Sequence, residues 1–97
     1  MPEPGELPEI RWDPQKAWVN LRKHKVSFVE AASVFDDLLS VTKPDPDHSN
    51  EENRFLTFGL SFNQRLVLLC HTEDLDEIRI ISARLPTRSE RDAYEGG

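Results

Sequence analysis

The groups able to do chemistry in this 97-residue chain are three histidines, one cysteine, eighteen carboxylates and twelve lysines and arginines. His24, His48, His71, Cys70 and the Asp45/Asp47 pair are the possible metal ligands. None of them stands at the close Cys/His spacing of a zinc site. Asp45, Asp47 and Asn50 supply too few oxygens for a hard cation. Cys70 ends an apolar segment, where a lone cysteine is a small inert core residue. There is no Gly-x-Ser-x-Gly elbow, and the four glycines are scattered, so no phosphate-cradling loop is formed. The sequence therefore calls for neither a metal nor a cofactor.

The arginines are more informative. Arg79 and Arg84 sit inside an apolar alternating segment, Ile78-Arg79-Ile80-Ile81-Ser82-Ala83-Arg84. An arginine there needs a partner, because burying a lone charge is costly. By strict alternation Arg79 shares a face with Ile81 and Ala83, and Arg84 shares the opposite face with Ile78, Ile80 and Ser82. One reading pairs each with a carboxylate such as Glu30, Asp36, Asp37 or Glu52. The other gives them a phosphate, whose oxygens the guanidinium fork matches in pairs while remaining charged at any cellular pH. Arg22, Lys23, Arg54, Arg65, Arg79, Arg84 and Arg88 are the cations a fold could bring together. The net charge of −6 argues against binding nucleic acid through bulk charge. Yet residues 54–72 and 78–88 contain no acid at all, so basic blocks exist for a fold to bring together.

The elements that would position these groups follow from local signals. Residues 1–9 form a proline-rich acidic tail, and residues 10–95 a single domain. Glu9 to Trp12 reads as a short first strand. Asp13-Pro14 opens a helix running to about His24, with Asp as N-cap and Pro at the first helical position. Ala17, Leu21 and His24, with Trp18 beside them, form its apolar stripe, and Lys16, Asn20 and Lys23 another row. Ser27-Phe28-Val29-Glu30 is a capping box that starts a second helix, with Phe28, Ala31, Ala32, Phe35, Leu38 and Leu39 as its buried side. Leu38 to Thr42 looks extended, and Lys43 to Asn50, with two prolines, reads as a loop. Arg54 to Phe62 alternates as a strand, with Arg54, Leu56 and Phe58 on one face. Arg65 to Thr72 is the most apolar strand and belongs at the centre. Ile78 to Arg84 completes an antiparallel meander. Thr87 to Glu90 is a second capping box, opening a short helix to about Tyr94. Helices followed by strands make an α+β domain: two N-terminal helices on an antiparallel β-meander, with a short C-terminal helix at the edge of the other face. No apolar run approaches the ~20 residues that span a bilayer. The tail carries Glu3, Glu6 and Glu9 and no apolar block. The chain is expected in the cytoplasm.

Read as an ordered set, several motifs carry a resemblance. They are Trp12-Asp13-Pro14; Asn20-Leu21-Arg22-Lys23-His24; Val26-Ser27-Phe28-Val29-Glu30-Ala31; and Val34-Phe35-Asp36-Asp37. Asp47-His48-Ser49, Glu52-Asn53-Arg54-Phe55, Gly59, His71-Thr72, Ile78 to Arg84, Glu90-Arg91 and Tyr94 follow in register. Together they resemble the BrnT family, prokaryotic toxins of type II toxin–antitoxin pairs. The resemblance implies a RelE-like α+β fold and metal-independent RNA cleavage that inhibits translation. It also implies neutralisation by a BrnA-type antitoxin with a ribbon-helix-helix part, so that DNA is reached only through the antitoxin, in a possible higher-order complex. Two positions depart from the family pattern. Lys25 stands where Gly is common after the Lys-His pair, and the turn from Glu73 to Glu77 is unusually acidic.

In such a ribonuclease the RNA's own 2′-OH attacks the phosphorus. An acid–base group moves the protons, and cations hold the phosphorane, with Arg54, Arg79 and Arg84 as the phosphate candidates and Lys23 as helper. His24 is the first acid–base candidate, because imidazole titrates near neutral pH. The alternative leaves His24 closing the apolar stripe of its helix. His71 and His48 are weaker candidates, and Glu52 is an alternative base. Trp12 and Phe55 either stack on bases or pack in the core. The rival reading is a toxin-like binding module without chemistry, acting through its partner.

Overall fold

The computed structural model describes residues 8–47 and 53–96. Strand β1 is Glu9–Arg11, helix α1 Pro14–His24 and helix α2 Phe28–Ser33, which runs into a single tighter turn, Val34–Asp36. Strands β2 (Val41–Pro44), β3 (Arg54–Leu60), β4 (Leu66–Glu73) and β5 (Glu77–Arg84) follow, then helix α3 (Arg88–Gly96). The sheet has the order β1-β5-β4-β3-β2. The meander β3-β4-β5 is antiparallel with β4 central. The edges extend it into a mixed sheet, since β1 runs parallel to β5 and β2 antiparallel to β3. The strand read at Glu9 to Trp12 forms over Glu9–Arg11, and Glu9 pairs with Glu77. Lys43 and Pro44, expected in a loop, end β2. Proline is tolerated there because β2 is an edge strand.

The helix starts follow their caps. Asp13 Oδ1 accepts from the Gln15 amide at 2.8 Å, with Pro14 as the first helical residue. Ser27 Oγ accepts from the Glu30 amide at 2.9 Å. Val26 before that cap and Ala31 after it are both fully buried, in the positions of a hydrophobic staple. The core lies between this segment and one face of the sheet: Val26, Phe28, Ala31 and Val34 against Val67, Leu69, Ile80 and Ala83. Gly59 lets the tight turn approach β3. A Cβ there would lie 2.6 Å from Val34 Cγ1 and 2.9 Å from Ser40 Cβ. Asp37 completes this junction by accepting from the Leu39 and Leu60 amides.

Two expected stripes are corrected. Leu38 and Leu39 are 99% and 78% exposed, because the chain leaves the helix before them. In α1, Trp18 and Leu21 are exposed and the buried residue is Asn20. Its side-chain amide donates to Val26 O and Ala83 O, and its carbonyl oxygen accepts from the Ala83 amide. Asn20 thus takes over the free edge of β5 where the short β1 has ended. Helix α1 is fixed by polar bonds to a strand edge, which an apolar-stripe reading cannot detect.

Candidate functional site

The decisive local feature is an irregularity in β5. Cys70 pairs with Ser82 and His71 with Ile80, so Ile81 has no partner in β4. This bulge reverses the alternation of β5. Ile78 and Ile80 are buried before it and Ala83 after it. Arg79 and Arg84, which strict alternation puts on opposite faces, therefore share the face away from α2.

Register partners in a sheet place their side chains on the same side. Three rows cross the open face on that basis. Arg54, Thr72, Arg79 and Arg11 form the first, Lys43, Leu56, Cys70 and Ser82 the second, and Val41, Phe58, Leu68 and Arg84 the third. The opposite face carries Phe55, His71 and Ile80, then Thr42, Thr57, Leu69 and Ala83.

Helix α3 lies over the third row instead of beside the sheet. Tyr94 stacks on Phe58 with ring centroids 5.7 Å apart, and its hydroxyl donates to Leu39 O. Glu90 accepts from both terminal nitrogens of Arg84, at 2.8 and 2.9 Å. The Thr87/Glu90 capping box is closed in both directions, which fixes that carboxylate. The hydrogen bond from Arg84 is the main reason the Glu90 carboxyl falls to about 2. Between α3, β2 and the strands lies a cleft of about 580 Å³ with an apolar floor that includes Leu56, Phe58 and Leu68. Its rim carries Lys43, Arg54 and Arg84 against Asp45, Asp47 and Glu90. Asp45 is buried, and the Cys70 thiol reaches its Oδ2 at 3.7 Å.

The remaining candidates fall into three places. His24 and Lys23 line a second, shallower groove between α1 and β5, together with Lys16, Asn20, Ile81 and Ser82. Ile81 and Ser82 also line the main cleft, so the two depressions meet along them. Arg79 is exposed beside Arg11, Ile10 and Trp12. Glu52 and His48 lie outside the described residues. Arg54, Arg79 and Arg84 thus share a face, and His24 borders it from the neighbouring groove without lining the arginine cleft.

Other candidates belong to the core. His71 is fully buried, bonded through Nε2 to Thr57 Oγ1 at 2.6 Å, with Phe35 edge-on and Phe55 stacked. Burial pushes its pKa down to about 4, which leaves it neutral and removes it from acid–base work at neutral pH. Trp12 packs edge-on against Phe28. Glu30 pairs with Arg65 instead of a β5 arginine and also accepts from Ser61. Its capping box is therefore half-formed, since its carboxylate is turned inward. Arg65 is the leading cause of its fall to about 2.

Sequence reasoning missed Lys43, read as loop, and the tie between Glu90 and Arg84. The Thr87-x-x-Glu90 signature located the carboxylate but not what it faces. Among the described residues no three His, Cys, Asp or Glu side chains gather as a metal site, and no helix is long and apolar enough to cross a membrane.

Among curated proteins no match to this sequence is found. The crystal structure of the Brucella abortus ribonuclease toxin BrnT superposes with a TM-score of 0.67 at 19% identity, over 84% of this chain and 99% of that one. It is similar in fold. The family model described as "Ribonuclease toxin, BrnT, of type II toxin-antitoxin system" matches residues 12–90. That span contains the bulge, the α1–β5 groove, all of the main cleft except Ala93 and Tyr94, and the Arg84–Glu90 tie, and with it the chain belongs to the BrnT family of type II ribonuclease toxins.

Proposed function

We propose that this protein is a metal-independent endoribonuclease whose substrate lies on the open face of the sheet. One observation carries the reading: the bulge at Ile81 turns Arg79 and Arg84 to the same side as Arg54 and Lys43. Fixed guanidinium and ammonium groups hold the charge of a phosphorane directly, which is the part a metal ion would otherwise play. The RNA 2′-OH is the nucleophile. Arg54, Arg79 and Lys43 hold the phosphate chain, and Arg84 is oriented by Glu90 toward the reacting phosphate. His24, with Lys23 beside it, exchanges protons with the substrate where the two depressions meet along Ser82. Loss of RNA then inhibits translation. Neutralisation falls to a BrnA-type ribbon-helix-helix antitoxin, which brings DNA into the complex.

A second reading has one observation in its favour. The cleft's three cations face three carboxylates, and Arg84 is held by both oxygens of Glu90. A toxin-like module that only binds its antitoxin would show the same balance. Expression without the partner separates the two, followed by incubation of the purified protein with RNA in excess chelator. Growth arrest and chelator-resistant cleavage are the expected results. Normal growth with a folded product that leaves RNA intact would establish the binding module.

A further inference from the structure

The main cleft has little net attraction for a polyanion, because the three cations on its rim face three carboxylates. The groove on the other side of Ser82 is different. Lys16 and Lys23 line it with Asp13 as the one carboxylate, and Asp13 is occupied by the Gln15 amide as the helix cap. Lys16 and Lys23 lie seven residues apart on α1, two turns along one side, so both ammonium groups flank the same depression. Helix α1 is held there by Asn20, which bonds both backbone groups of Ala83. The lysines are thereby fixed relative to Ser82, where the two depressions meet. Both lysines are exposed, so an ammonium group can meet a phosphate without being desolvated.

We propose that the α1–β5 groove is a backbone-phosphate subsite for single-stranded RNA, with Lys16 its principal cation outside the catalytic constellation. The chain of the substrate leaves the main cleft over Ser82 and runs along α1. The subsite adds to the affinity of the charge-balanced cleft, and it reads charge, not bases. Arg22 lies on the same helix but stacks over Trp18, with its guanidinium carbon 4.8 Å from the ring centroid, and does not line the groove. Lys16 and Arg22 are thus two cations of equal charge on one helix, one in the groove and one outside it.

This inference rests on the open face being an RNA site, and the test separates the two. A non-cleavable 2′-O-methyl oligonucleotide of mixed sequence is titrated into the full-length protein, Lys16→Ala and Arg22→Ala across a salt series. Each phosphate contact on single-stranded nucleic acid adds about 0.7 to the slope of log affinity against log salt. Lys16→Ala is expected to flatten the slope by about that amount, equally for two unrelated sequences, while Arg22→Ala leaves it unchanged. Equal slopes in both variants would overturn the subsite while leaving the open-face reading in place. A wild-type protein that binds no oligonucleotide at any salt would overturn both. With cleavable RNA, Lys16→Ala is expected to raise KM and leave kcat unchanged. A fall in kcat at unchanged KM would overturn the assignment as a binding cation.

Discussion

The two faces of the sheet are built on opposite terms. On the face under α2, polar groups are closed off. His71 is bonded to Thr57 and wedged between two phenyl rings, Glu30 is tied to Arg65 and Ser61, and Gly59 admits the Val34 turn at van der Waals limits. On the open face, cations stand over an apolar floor, with Arg54 and Arg79 two strand spacings, roughly 10 Å, apart and one short helix across one end. The covered face uses its charged and polar groups to hold the fold. The open face keeps them in reach of solvent. Substitutions on the first should therefore cost stability, and on the second activity.

The largest effect is expected from the open face. The double variant Arg79→Ala/Arg84→Ala should lose RNA cleavage by at least ~100-fold and relieve growth arrest, by analogy with deleting transition-state hydrogen-bond donors. The Arg84–Glu90 pair is partly exposed, so its removal should cost under about 1 kcal/mol of folding stability. Full growth arrest by the folded double variant would erase the contrast between the faces.

Glu30→Ala tests the covered face. Glu30 is buried while its partner Arg65 is about one-third exposed, so the loss should be ~2–3 kcal/mol, below that of a wholly buried pair. Urea unfolding measures it, and cleavage by the fraction still folded should be unchanged.

His71 gives the covered face a pH signature. Its folded pKa is about 4, below the 6.5 of an ordinary imidazole. Between those values the unfolded chain binds the extra proton. Stability is therefore full above pH 6.5 and declines as pH falls toward 4, by an amount of order 2 kcal/mol. His71→Phe should remove that decline, visible as a urea midpoint that no longer moves between pH 6.5 and 4.5. Glu30 and Glu90 act lower, with folded values of about 2 against 4.5. Their contribution is complete above pH 4.5 and disappears as pH falls through 2.

The smallest effect lies at the junction of α1 and α2. Lys25 caps α1 in the left-handed conformation, with φ 60° and ψ 28°, which costs a side-chain-bearing residue roughly 1–2 kcal/mol. Lys25→Gly should raise stability by about 1 kcal/mol, since glycine loses part of this gain to its larger unfolded-state entropy. Its amide still bonds Leu21 O, and cleavage should not change.

Most of the elements were legible in the residues themselves. Asp13-Pro14, Ser27 and Thr87 name the helix starts because a cap is a bond within four residues. The continuous apolar run from Leu66 marks β4 as central, with Leu69 in the core on one side and Leu68 in the cleft floor on the other. Cooperation between distant elements was not legible. Alternation assigned Arg79 and Arg84 to opposite faces because it assumes an unbroken period of two. Only pairing with β4 shows Ile81 skipped. The helical wheel of α1 pointed to Leu21 and Trp18, whereas the buried contact is Asn20 on the edge of β5. Local spacing thus determined which segments are helix or strand and where they begin. The tertiary structure decided which arginines share a face, which carboxylate Arg84 meets, and which groove His24 borders, because those depend on how segments far apart in the chain come together.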